Sequence, residues 1–126
     1  ILHAGVNIPN VADSEEDYVL KEGDIFACEP FATDGEGFVV DMEDVRIFSL
    51  MDISNVNMRQ SRKILNYIID KYQFLPFAER WIYDKFKSRL LVKAAFKELL
   101  QRHIIMGYPV LREAGDGLVS QFEHTF

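Results

Sequence analysis

Glu29 and Glu123 lie 94 positions apart, and each interrupts an otherwise apolar stretch, in ACEPF and QFEHT. A carboxylate buried in such a stretch without a partner is costly, and a bound cation is one standard way to offset its charge. Two divalent ions held by carboxylates polarise a peptide carbonyl and lower the pKa of bound water, so one site supplies both electrophile and nucleophile. A histidine such as His3 could donate a hydrogen bond to that carbonyl oxygen. Each of the three also has an ordinary reading. A histidine near a chain start is a surface residue or a satisfied core residue, and a glutamate in an alternating strand is the wet face of a sheet. His103 reads as a favourable positive charge at a helix C-terminus. His124, facing away from Glu123, reads as a residue that packs or hydrogen-bonds within the sheet.

Strands must position the two glutamates. DIFACEPF alternates, with Ile25, Ala27 and Glu29 on one face and Phe26 and Cys28 on the other. The segment SQFEHTF alternates in the same way, setting Phe122, His124 and Phe126 against Gln121, Glu123 and Thr125. Residues 1 to 11 read as a short strand and a turn at Ile8-Pro9-Asn10, followed by a polar loop, ADSEEDY. KEGD and DGEG mark turns, and FVVDMEDVRIFSL has the β-branched and aromatic content of one or two strands.

After residue 55 the period changes. Ile64, Leu65, Ile68, Ile69 and Tyr72 recur at helical spacing, which predicts an amphipathic helix over 60–73. Pro76 is placed to open a second helix carrying Phe77, Trp81 and Ile82. Ser88 is placed to cap a third, whose buried stripe is Leu91, Val92, Ala95, Phe96, Leu99 and Leu100, with Gly107 as a break after it. IIMGYPVL, a turn at AGDG and LVSQFEHTF return the chain to strands. Strands, helices, then strands imply an α+β fold: an antiparallel sheet, residues 1–54 and 108–126, interrupted by a helical insertion over 55–107.

A chain of 126 residues, 48% hydrophobic, can build one core or one large half of a bigger domain. Its formal charge of −6 argues against nucleic acid as a direct partner and gives no polybasic membrane signal. No apolar run approaches the roughly 20 residues that span a bilayer, and ILHAGVNIPN lacks the regions of a signal peptide, so a cytoplasmic protein is expected. Cys28 is the single cysteine; between Ala27 and Glu29 it reads as a small packed residue, with neither a disulfide nor a thiolate cluster possible within the chain. The first residue is not Met and looks like mid-strand, which leads to the expectation that the chain begins inside a larger structure.

HAGVNIPN, EGDIFACEPFAT and QFEHT, in that order, resemble the C-terminal half of methionine aminopeptidases, metallopeptidases of the pita-bread fold. The helical block between Glu29 and Glu123 looks like the insertion that distinguishes type 2 enzymes, a winged-helix-like three-helix unit. FLPFAERW and GYPVL further resemble archaeal members. The resemblance covers essentially the whole chain. It implies half of a pita-bread fold and two divalent metal ions, Co, Mn, Fe or Zn, with Glu123 bridging them and Glu29 binding one beside the activated water. By the same match His3 is the catalytic histidine that contacts substrate, Leu2 and Tyr108 lie beside the pocket for the N-terminal methionine, and Phe77 contributes to its wall.

The family also uses two aspartates and a further histidine as ligands, and all three belong upstream of Ile1. Asp13, Asp17, Asp24 and Asp41 do not sit in that motif. The implied protein is therefore a hydrolase removing initiator methionine from nascent peptides, with this chain inactive until an N-terminal half, in the same or a separate polypeptide, supplies the remaining ligands. The competing reading is a non-catalytic pita-bread module that binds ribosomes or protein partners. A further alternative gives the helical insertion an interaction role of its own.

Overall fold

Two long segments, 26–50 and 105–126, run antiparallel along each other, and the helices fill the excursion between them. The computed structural model describes residues 6–9 and 18–126. In chain order the elements are β1 (Ala27–Cys28), β2 (Phe31–Thr33), β3 (Val39–Leu50), α1 (Arg59–Lys71), β4 (Phe77–Ala78), α2 (Glu79–Phe86), α3 (Arg89–Gln101), β5 (Ile105–Glu113), β6 (Val119–Gln121) and β7 (His124–Thr125). β1 pairs with β7, β2 with β6, and β3 lies between β4 and β5, all antiparallel. The result is α+β, as the element order predicts.

The helical period is realised closely. α1 buries Ser61, Ile64, Leu65 and Ile68, and α3 buries Val92, Ala95, Phe96 and Leu99 against it. Leu91 and Leu100, expected in the α3 stripe, are exposed instead. Of FVVDMEDVRIFSL, all but Phe38 forms a single 12-residue strand, of which only Phe48, Ser49 and Leu50 are buried. Those strand ends, with Ile104, Ile105, Phe77 and Ile82, complete the core, so the apolar interior sits in the helical unit and the strand ends beneath it. Each fully buried Ile, Leu or Phe there contributes about 1.5–3 kcal/mol relative to exposure.

Pro76 does not open a helix directly. Phe77 and Ala78 first pair with Phe48 and Ile47 as β4, and α2 starts only at Glu79. A two-residue strand carries no periodic signal; its place is dictated by the edge of β3. Ser88 does stand at the N-cap of α3, but its side chain makes no capping bond. α3 ends before Gly107, at Arg102 and His103, the latter with φ 56°, and Gly107 lies inside β5. A Cβ at Gly107 would stand 2.5 Å from Val45 Cγ1, so the glycine serves the close approach of β5 to the bulged part of β3.

Met58 occupies the N-cap of α1 and has no oxygen to offer the free amides there. Glu98 of α3 supplies it: the Asn57 N–H donates to Oε1 at 2.6 Å and the Met58 N–H to Oε2 at 3.2 Å, with Arg102 3.4 Å from Oε1. One side chain thus ties the start of α1 to α3. Glu98→Ala should lower stability by about 1–2 kcal/mol in denaturant titration. A loss under about 0.3 kcal/mol would mean that water serves those amides equally well.

Candidate functional site

The candidate site depends on how 26–33 pairs with 119–126. Ala27 pairs with Thr125 and Cys28 with His124. Past the interruption, Phe31 pairs with Gln121 in the same alignment. Between them the Phe122 N–H donates to the Pro30 carbonyl at 3.2 Å. Pro30 has no N–H to return that bond, which is why the ladder breaks there although the alignment does not shift. Glu29 consequently stands opposite Glu123.

The pair type follows from the neighbouring bonds. Phe26 and Phe126 exchange both N–H···O bonds, at 3.3 and 2.9 Å, and are therefore a hydrogen-bonded pair. Alternation makes Cys28/His124 the next such pair and Glu29/Glu123 a non-hydrogen-bonded pair, the kind whose side chains approach more closely. Both glutamates project from the same face, with Cβ atoms about 4.5–5.5 Å apart in such pairs. Like charges directly opposite destabilise a ladder. A cation between them would reverse that sign.

Both glutamates are exposed, and Cys28, expected to be packed, is exposed as well. The opposite face of the ribbon carries Phe26, Phe122, His124 and Phe126; the last two rings lie edge to face at 4.9 Å. Phe122 and Phe126 are 69% and 71% exposed. Among the described residues no group of three or more His, Cys, Asp or Glu is placed to hold a metal ion.

His3 and Leu2 lie outside the described residues. Tyr108 is half-buried in β5, opposite Ile47, and its hydroxyl donates to Ser49 Oγ at 3.2 Å. Phe77 is 1% exposed, and its ring stacks on Tyr72 at 5.3 Å within the core, so it presents no surface to a ligand in this chain. His103 follows α3 and donates its backbone N–H to the Leu100 carbonyl at 3.0 Å.

The net charge conceals a division that the overall sum could not show. Eleven of the fourteen Lys and Arg fall within residues 55–107, whereas sixteen of the twenty Asp and Glu fall outside it. Among the described residues outside 55–107, twelve acidic side chains stand against three basic ones, so the ribbon side is acidic and the helical unit basic. A field of that sign favours cations where the glutamate pair lies.

No family model matches the chain. Curated proteins do. The methionine aminopeptidase of Thermococcus kodakarensis is 46% identical over 98% of this chain, that of Methanothermobacter thermautotrophicus 41% over 99%, and that of Saccharolobus solfataricus 38% over 98%. The chain spans only 42%, 41% and 41% of those proteins respectively. Among solved structures, a thermophilic Arx1 superposes with a TM-score of 0.71 over 90% of this chain and 30% of its own, at 18% identity. That likeness shows the fold, half of a pita-bread architecture.

Proposed function

We infer that this chain, which matches archaeal methionine aminopeptidases as a C-terminal half, has a share in a dinuclear-metal active site that is completed by an N-terminal half. The observation that carries this reading is the unshifted register that sets Glu29 opposite Glu123 on one face. Two facing carboxylates are hard oxygen donors suited to divalent ions, and their like-charge repulsion in the bare ribbon is what such ions would relieve. They cannot fill two coordination shells alone, so the companion half must bring further ligands.

When bound, the metal pair supplies a polarised scissile carbonyl and an activated water. The chain's own residues do the rest. Glu29 and Glu123 would hold the ions, and by the family match His3 would donate to the substrate carbonyl oxygen while Leu2 and Tyr108 would border the methionine side chain. The reaction is release of N-terminal methionine from nascent peptides, and the setting is the cytoplasm. Residues 55–107 are the insertion characteristic of type 2 enzymes.

The exposed aromatic face of Phe122 and Phe126 supports a companion segment as well, because contiguous apolar surface of this kind marks an interface. Coexpression with the N-terminal part of a matched archaeal relative, followed by assay of methionine release from Met-Ala-Ser with added divalent metal, tests the reading. Turnover by the pair and none by either half supports it. A stable, folded pair without turnover at any divalent metal would favour a binding module instead.

A further inference from the structure

The alignment that faces Glu29 with Glu123 continues across a break in the ladder. Thr33 pairs with Val119 on one side of the break and Val39 with Glu113 on the other, so 34–38 and 114–118 consume equal lengths and the register does not slip. Across those two loops the Ala114 N–H donates to the Phe38 carbonyl at 2.9 Å and the Leu118 N–H to Asp34 Oδ1 at 2.8 Å, but regular ladder pairing lapses. Glu113 occupies the space between them, with only 4% of its surface exposed. Its Oε1 accepts the N–H groups of Glu36 at 2.5 Å and Gly37 at 3.1 Å, and its Oε2 accepts those of Gly115 at 2.6 Å and Gly117 at 2.9 Å. One oxygen holds each loop.

The loops are shaped to this carboxylate. A Cβ at Gly35 would collide with the Glu113 carboxyl group, and a Cβ at Gly117 would come within 2.5 Å of the Gly35 Cα. The Gly117 amide, with those of Glu36, Gly115 and Gly37, holds the Glu113 carboxyl below its ordinary value of 4.5 against the opposing effect of burial. The carboxylate is therefore ionised at neutral pH, and its contribution is complete above that ordinary value and lost as acidification passes the lowered one.

We propose that Glu113 is a positioning residue for the glutamate pair: by clamping both loops it fixes the strand register that places Glu29 opposite Glu123. A slip of one residue would turn Glu123 to the other face, and a slip of two would separate the pair by about 7 Å along the strand. The part of the claim concerning register stands on the chain alone. The part concerning catalysis rests on the proposed peptidase function.

Glu113→Gln tests it, because an amide keeps the shape but offers one accepting oxygen, and its NH2 group faces N–H donors. In the full chain, amides of one loop and of β2 and β6 should exchange about tenfold faster or more, while those of α1 and α3 stay unchanged. The Hα–Hα NOE between Glu29 and Glu123 should weaken or vanish. In the enzyme assembled with its companion half, kcat should fall about 10- to 100-fold with KM within about threefold. Gly35→Ala, whose methyl would displace the carboxylate without altering it, should reproduce the loss, and decides the matter if the Gln variant fails to fold. Retention of the NOE and of protection in both loops in the folded variant would overturn the proposal. An inactive wild-type assembly would overturn the peptidase reading instead, leaving the NOE and exchange results to judge Glu113.

Discussion

Glu123→Ala in the assembled enzyme should reduce methionine release by at least about 10³-fold, the equivalent of the several kcal/mol that metal-ion catalysis supplies. The variant removes the carboxylate expected to bridge both ions, so added metal should not restore the rate. Glu29→Ala should fall in the same range, and the double variant should be scarcely worse than either single one, because residues acting through one site are not additive. The same substitutions should not harm the fold. In the metal-free chain the two carboxylates oppose like charge to like, a situation worth a few tenths of a kcal/mol against the ladder. Glu123→Gln should therefore leave denaturant stability unchanged or slightly raised. Loss of activity combined with loss of stability would point to a structural role; turnover within about tenfold of wild type in Glu123→Ala would remove the glutamate pair from the chemistry altogether.

Phe77→Ala should be the most destabilising single substitution considered, at about 3–5 kcal/mol. Its ring is 1% exposed and meets three other rings: Phe48 at 6.3 Å, Phe96 at 6.4 Å and Tyr72 at 5.3 Å. Truncation leaves a cavity enclosed by α1, α3 and β3, which cannot close without moving all three. Aromatic pairs of this kind each add about 0.5–1.5 kcal/mol beyond area burial. A loss that large would unfold a domain of ordinary marginal stability, and far-UV circular dichroism in denaturant would show it directly. A drop below about 1 kcal/mol would mean that Phe77 faces an accessible pocket wall, as the family resemblance implies, rather than the core.

Phe77 shows why part of this molecule was legible in the sequence and part was not. The spacing of Ile64, Leu65 and Ile68, and of Val92, Ala95, Phe96 and Leu99, is a local pattern, and α1 and α3 form where it predicts. Alternation around Glu29 and Glu123 is local too, and both segments are extended with the expected faces. The β4 pairing of Phe77 and Ala78 depends on an edge supplied some thirty residues earlier, and no periodicity announces it. Glu113 carries no local signature of its role, because two of its four partners, Glu36 and Gly37, lie 77 and 76 positions away. Cys28 departs from its expected packing for a related reason: alternation fixes its face, but not whether anything in this chain covers that face, and it is exposed. The charge sum concealed an acidic ribbon and a basic helical unit that a regional count makes plain.

The most direct test of the account is the NOE pattern along 26–33 and 119–126 in the metal-free chain. A non-hydrogen-bonded antiparallel pair brings its two Hα atoms into close contact, so strong Hα–Hα cross-peaks are expected for Ala27 with Thr125 and for Glu29 with Glu123. Titration with a divalent ion should then shift the side-chain signals of both glutamates together. Cross-peaks linking Glu29 to Phe122 or to His124 instead would place the carboxylates on opposite faces and contradict the shared site.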